Sequence, residues 1–119
     1  MKDNKKFGAG GEGQATAYLV KNGYKILHRN FTCHCGEIDI IASKKGVIAF
    51  IEVKARLSDN YGTPAEAVTS TKKHKISLTA VAYIKMRKLY DNDISFDIIE
   101  VFHDNINHIE NAFESTIRW

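Results

Sequence analysis

The sequence predicts an α/β domain built on a mixed sheet flanked by helices. Three observations carry that expectation. Two stretches dense in Ile, Val and Phe flank the tripeptide Lys44-Lys45-Gly46, the mark of a β-hairpin. Amphipathic helical patterns lie on both sides of the block of strands, near residues 9–21 and before residue 89. The resulting order, α-β-β-β-α-β-β, belongs to a layered α/β domain and not to a helical bundle. A chain of 119 residues has room for one such domain, expected to span residues 1–119.

The first helix is expected over about residues 9–21, with Ala15, Tyr18 and Leu19 forming its apolar stripe and Gly23 closing it. Glu12 lies three and seven positions before Ala15 and Leu19, so the helical repeat turns it toward the packed side. The glycines at 8, 10, 11 and 13 weaken the start of this helix. They form no phosphate loop, because no strand precedes them and the Walker lysine with its Ser or Thr is missing.

Residues 24–32 read as a first strand, and residues 36–43 and 47–55 as the two arms of the hairpin. A second helical region opens at "YGTPAEAV". There Thr63 suits a cap, Pro64 the first helical position, and Glu66 the capping-box offset. The pattern either pauses at Thr69 to Thr71 and restarts or runs on, with Ile76, Ala80, Tyr83 and Ile84 continuing it to about residue 89. A strand at 94–102, a turn at 103–105, a short strand at 106–110 and a closing helical turn complete the expectation.

Composition narrows the function. Seventeen Lys plus Arg against 14 Asp plus Glu give a formal net charge of +3, which permits a polyanionic partner without requiring one. The basic N-terminus lacks the apolar core of a secretory signal, and no run approaches the roughly 20 apolar residues that span a bilayer. A cytoplasmic protein with no membrane partner is therefore expected. Cys33 and Cys35 are the only cysteines and are expected to be free thiols, since two soft ligands supply half of a zinc site.

The candidate chemistry lies in the hairpin. With Lys45 and Gly46 as the two loop residues, Lys44 pairs with Val47 and Asp39 falls opposite Glu52, their Cβ atoms about 5 Å apart. A slip of one residue would send Asp39 to the other face. Two facing carboxylates repel unless a cation lies between them, and oxygen ligands of this kind suit Mg²⁺ or Mn²⁺. Lys54 shares the Glu52 face, where it could orient or help deprotonate a water. Glu12, arriving from the helix, is a further metal-binding or catalytic candidate. Arg29, Arg56, Lys72, Lys73 and Lys75 are candidates for phosphate contact. Glu37 is read as a surface residue at the strand entrance, and Asp97 is placed outside the main set. A cross-strand charge pair without catalysis is the blander account of the same residues.

"GEGQATAYLVKNGYKILHRN", "GEIDIIA", "VIAFIEVKAR", "YGTPAEAVTSTKKHKI" and "FDIIEVF" together resemble the YraN family of small bacterial proteins. That family is similar to archaeal Holliday-junction resolvases and restriction-endonuclease-like proteins. The resemblance implies a restriction-endonuclease-like mixed central sheet flanked by helices, with a nuclease signature on Asp39, Glu52 and Lys54 and the helical acid at Glu12. It implies metal-dependent cleavage of DNA, with branched DNA as a candidate substrate and a homodimer as a candidate assembly; no small-molecule cofactor is expected. Ser95 stands where similar proteins often carry Arg, and Ala55 where Thr or Ser is usual. A nucleic-acid-binding module without catalysis is the alternative, and a protein–protein adaptor using Ile109, Phe113 and Trp119 a third reading.

Overall fold

The computed structural model describes residues 2–56 and 68–117, with side chains from residue 11 onward. The element order is α1 (Lys2–Lys21), β1 (Lys25–Cys33), β2 (Gly36–Lys44), β3 (Val47–Arg56), α2 (Ser70–Arg87), β4 (Asp93–Phe102) and β5 (Asn105–Phe113). The five strands form one sheet in the order β1-β2-β3-β4-β5. β3 and β4 run parallel, joined through α2, and every other neighbouring pair is antiparallel. This is the restriction-endonuclease-like α/β arrangement, a mixed sheet with a helix on each face.

Alternation along β3 separates the two faces. Ile48 and Phe50 join Ile76, Ala80, Tyr83 and Ile84 of α2 in one cluster, while Ala49 and Ile51 join Ala15 and Leu19 of α1 in the other. Full burial of each such aliphatic side chain is worth roughly 1.5–3 kcal/mol, so the strand is anchored from both sides. Two-residue turns close all three hairpins, with Cys33 paired to Gly36, Lys44 to Val47 and Phe102 to Asn105. In the middle hairpin both Lys45 and Gly46 take positive φ, 50° and 81°, matching the right-handed twist of the strands they join. The register expected from the sequence is observed from Lys44↔Val47 to Ile40↔Ile51; the ladder stops one pair short of Asp39 and Glu52.

Helix α1 begins at Lys2, seven residues before the expected start. Glycine lowers helix stability by about 1 kcal/mol without stopping a helix. At Gly11 the helix passes close to β3: a Cβ there would lie 3.5 Å from that of Ala55, ordinary contact distance. The helix ends as expected: the Gly23 amide bonds to Val20 O (3.1 Å) and the Tyr24 amide to Leu19 O (2.9 Å), with Gly23 at φ 89°. The pause at Thr69 is a true start, because the Thr69 side chain caps α2 by accepting the Lys72 amide at 3.2 Å. Thr63, Pro64, Glu66 and Tyr61 lie outside the described residues, as does Trp119.

The C-terminal segment differs from expectation. β5 runs on to Phe113, whose ring stacks on Phe96 at 5.2 Å, and no helical turn follows among the described residues. The extension is made possible by an irregularity in the β4–β5 register between Phe96 and Ile98, where the buried Asp97 carboxylate accepts the Asn111 amide at 3.1 Å. Asp97 also accepts from Ser95 Oγ and lies 2.7 Å from His108 Nε2. His108 Nδ1 in turn lies 3.1 Å from the Tyr18 hydroxyl on α1. This chain fastens the first helix to the far edge of the sheet. Among the described residues no helix is long and apolar enough to cross a membrane.

Replacing His108 with Ala should lower stability by about 2–3 kcal/mol, because it leaves part of the buried Asp97 carboxylate unpartnered. A urea-denaturation cycle with Asp97→Ala should show the two losses to be strongly non-additive, and simple additivity would refute the coupling.

Candidate active site

The site occupies the α2 side of the sheet at the C-terminal end of β3. Glu52, Lys54 and Arg56 follow one another at alternate positions of β3, facing the same way as Phe50. The β2–β3 ladder runs from Lys44↔Val47 to Ile40↔Ile51. Beyond it the Val53 amide donates to Asp39 Oδ2 at 2.8 Å. A side chain thus takes over from the backbone at the point where the ladder ends. The neighbouring residues register the break. Ile38 and Ile41, three apart, both join the α2-side cluster, which strict alternation forbids. Across the β1–β2 pair, Asn30 sits between the partners of Ile38 and Ile40 with φ 55°.

The Asp39 and Glu52 side chains are hydrogen-bonded to each other, so at least one proton is shared between them. Burial, together with the hydrogen bond to Glu52 and its charge, pushes Asp39 up to about 8, against the Val53 amide, with Glu12 adding a further upward push. Burial also raises Glu52, but hydrogen bonds from Asp39 and Lys72 and the charges of Lys72 and Lys54 outweigh it and hold Glu52 below the usual carboxylate range. Asp39 is therefore the protonated partner and Glu52 the ionised one.

Lys72 Nζ lies 2.5 Å from Glu52 Oε2. Burial lowers its pKa, but the Glu52 carboxylate and contacts with Lys54 and Asp39 raise it on balance. Lys54 moves the other way: burial and the adjacent Lys72 ammonium loosen its proton, and the pull of Glu52 and Asp39 does not compensate. Two lysines at one carboxylate pair thus have different proton affinities. Of the two, Lys54 is the one whose hold on its proton is weakened.

Glu12 approaches from α1. Its Oε1 is buried without a hydrogen-bond partner, 3.7 Å from Arg29 Nη2. The sequence expectation that Glu12 turns inward is met, and its charge reaches Asp39. Among the described residues no three His, Cys, Asp or Glu side chains are gathered closely enough to hold a metal ion by themselves. Asp39 and Glu52 supply two neighbouring carboxyl groups, the number from which a Mg²⁺-type ion with water at its other positions would be held, and Glu12, ion-paired with Arg29, is a third acid on the α1 side.

The remaining candidates are distributed unevenly. Arg56 is ion-paired with Glu100, which also accepts from Asn107 Nδ2 at 3.1 Å. Arg29 is partly exposed beside Glu12. Lys73 Nζ lies 5.7 Å above the Phe113 ring, and Lys75 is exposed. Lys72, grouped by sequence with these surface bases, stands instead inside the carboxylate site. The signal was available: Lys72, Ile76, Ala80 and Tyr83 fall on one helical stripe, the buried one. Glu37 is exposed, 3.4 Å from the Thr32 hydroxyl. Asp97 and Ser95 face α1, on the opposite side of the sheet from Glu52 and Lys54.

Because folded Asp39 keeps its proton up to about pH 8 and the unfolded residue loses it near the ordinary carboxylate value, its contribution to stability falls as pH rises between those limits. Asp39→Asn fixes the uncharged form and keeps an acceptor for Val53. It should stabilise the protein by about 1–2 kcal/mol near pH 8 and flatten the pH dependence of the urea midpoint. An unchanged pH profile would show that Asp39 does not carry the proton.

Residues 11–101 match the model of the uncharacterised protein family UPF0102. The chain is 51% identical over 117 residues to a UPF0102 protein of Clostridium acetobutylicum, covering 93% of this chain and 96% of the relative. It is 46% identical over 119 residues to one from Trichlorobacter lovleyi, covering 95% and 94%. A third, from Geobacter metallireducens, is 44% identical over 115 residues, covering 93% and 94%. Nearly the whole length is shared, including the strands and helices that build the site, and the protein belongs to the UPF0102, or YraN, family.

Proposed function

We propose that this protein is a metal-dependent DNA endonuclease that hydrolyses phosphodiester bonds, with branched DNA as its favoured substrate. The observation that carries the reading is the buried Asp39–Glu52 carboxyl pair with a proton-loosened Lys54 beside it. Membership of UPF0102 and the restriction-endonuclease-like sheet support a nucleic-acid-binding role for the same face. Asp39 and Glu52, with Glu12, would hold Mg²⁺ or Mn²⁺. When bound, such a cation supplies Lewis acidity, polarising a phosphate oxygen and easing deprotonation of water.

The chain's own groups divide the remaining work. Lys54, with its weakened hold on its proton, orients an attacking water and accepts or relays that proton. Lys72 keeps Glu52 ionised and so ready to bind a cation. Arg29, Lys73 and Lys75 contact phosphates on either side, and Arg56, anchored by Glu100, presents a fixed guanidinium edge. A homodimer would match the two-fold character of a branched substrate and double the phosphate contacts one small domain offers.

A second reading, a nucleic-acid-binding module without catalysis, draws on one feature. Asp39, Glu52 and Lys72 satisfy one another without any added ion. The two readings separate by experiment. Duplex, single-stranded and branched DNA should be incubated with Mg²⁺ or Mn²⁺. Asp39→Ala and Lys54→Ala should each cut cleavage on the order of 10²-fold or more while leaving binding within about threefold. Salt-sensitive binding with no cleavage of any substrate would establish the module instead.

A further inference from the structure

The β1–β2 turn holds both cysteines of the chain, separated by His34. Cys33 ends β1 and pairs with Gly36, so His34 and Cys35 form the turn between them. The Cys35 amide donates to Cys33 Sγ at 3.3 Å, and Cys33 Sγ lies 3.8 Å from Thr79 Oγ1 on α2. Each thiol shifts the other's hold on its proton, and both residues are half-buried and free. Cys35 Sγ lies 3.5 Å from His34 Nε2. Nucleophile, stabilising amide and second thiol are thus gathered in four residues.

We propose that Cys33 and Cys35 form a reversible thiol–disulfide site that reacts with peroxides, Cys33 attacking and Cys35 resolving. In the first step the Cys33 thiolate sulfur bonds to one oxygen of hydrogen peroxide. The O–O bond breaks, hydroxide leaves and takes up a proton as water, and the sulfur becomes a sulfenic acid. In the second, the Cys35 sulfur attacks that of Cys33, the S–S bond forms, and the S–O oxygen departs as water with the Cys35 proton. Two thiols and one peroxide give one disulfide and two waters.

The division of roles follows from the surroundings. Burial raises the Cys33 thiol, but the Cys35 amide, with the Cys35 thiol and the Gly36 amide, brings it below its ordinary value. Cys35 is raised, first by burial and then by its neighbour Cys33. The thiolate therefore forms at Cys33, the requirement for nucleophilic attack. A disulfide closed across a single residue is a short, constrained loop, which favours re-reduction by small thiols. The turn also rests on α2: a Cβ on Gly36 would lie 3.1 Å from Thr79 Oγ1 and 3.4 Å from Lys75 Cβ.

The full-length reduced protein, treated with hydrogen peroxide, should lose the mass of two hydrogens, resist alkylation at both cysteines and recover with dithiothreitol. Cys35→Ser should stop at a sulfenic acid on residue 33 that is captured by dimedone. Cys33→Ser should react with peroxide on the order of tenfold more slowly. The proposal is overturned if peroxide yields only intermolecular dimers or higher oxides. It is equally overturned if Cys33→Ser reacts as fast as the unmodified chain. Neither result bears on DNA cleavage, which uses the carboxylate face.

Discussion

The hydrogen bond from the Val53 amide to Asp39 is the contact on which the site depends. It closes the β2–β3 ladder with a side chain where the next backbone pairing would fall. A carboxyl group in that position is tied to the backbone of the central strand, just past its fully buried stretch. It is also held out of water, which is why Asp39 keeps a proton that an exposed aspartate would lose. The local departure from alternation at Ile38 and Ile41, and the positive φ of Asn30, are the conformational accommodation around it. The fold thus ends a ladder and positions a carboxyl group with one interaction, while burial and Glu52 keep that group protonated against the pull of the amide.

The same device appears on the opposite face. Asp97 accepts the Asn111 amide where the β4–β5 register shifts, and it lies almost wholly out of solvent, whereas Asp39 is half-buried. There the outcome differs, because His108, Ser95 and Asn111 surround the carboxylate with donors and Tyr18 extends the chain into α1. One aspartate meets another carboxylate and two ammonium groups; the other meets a full set of hydrogen-bond partners. Their neighbours, more than their burial, separate a chemical role from a structural one. The structural aspartate still serves the site, since α1 is the helix that brings Glu12 to it.

Much of this could be read from the sequence because the decisive constraint was local. A two-residue loop with glycine at its second position fixes a hairpin register, and that register puts Asp39 and Glu52 on one face. Local rules also gave the Gly23 closure and left the Thr69 pause as an open choice, which the cap on α2 decides. What escaped were the non-local facts. Lys72 stands in a run of bases, and such runs ordinarily mark a solvated face, so its place on the Ile76–Ala80–Tyr83 stripe was outweighed by its charge. The partnership of Asp97 with His108 needs a shifted register between two strands, which no spacing in either strand reveals. The extension of β5 to Phe113 rests on stacking against Phe96, a contact that exists only once the strands are paired.

Gly11 and Ala55 set the clearance between the first helix and the third strand, with nothing larger than a methyl group in the gap. Glu12 is the next residue along the helix, so the reach of its carboxylate is governed by atoms that its neighbour lacks. A methyl at position 11 would just touch Ala55, but a larger side chain would act like a shim, lifting the helix and carrying the acid off Asp39 with every site residue still in the sequence. Among relatives that differ from this chain at about half their positions, an inventory of acids and lysines is therefore an incomplete guide to an assembled centre. The smallest side chains nearby decide how far apart its parts stand.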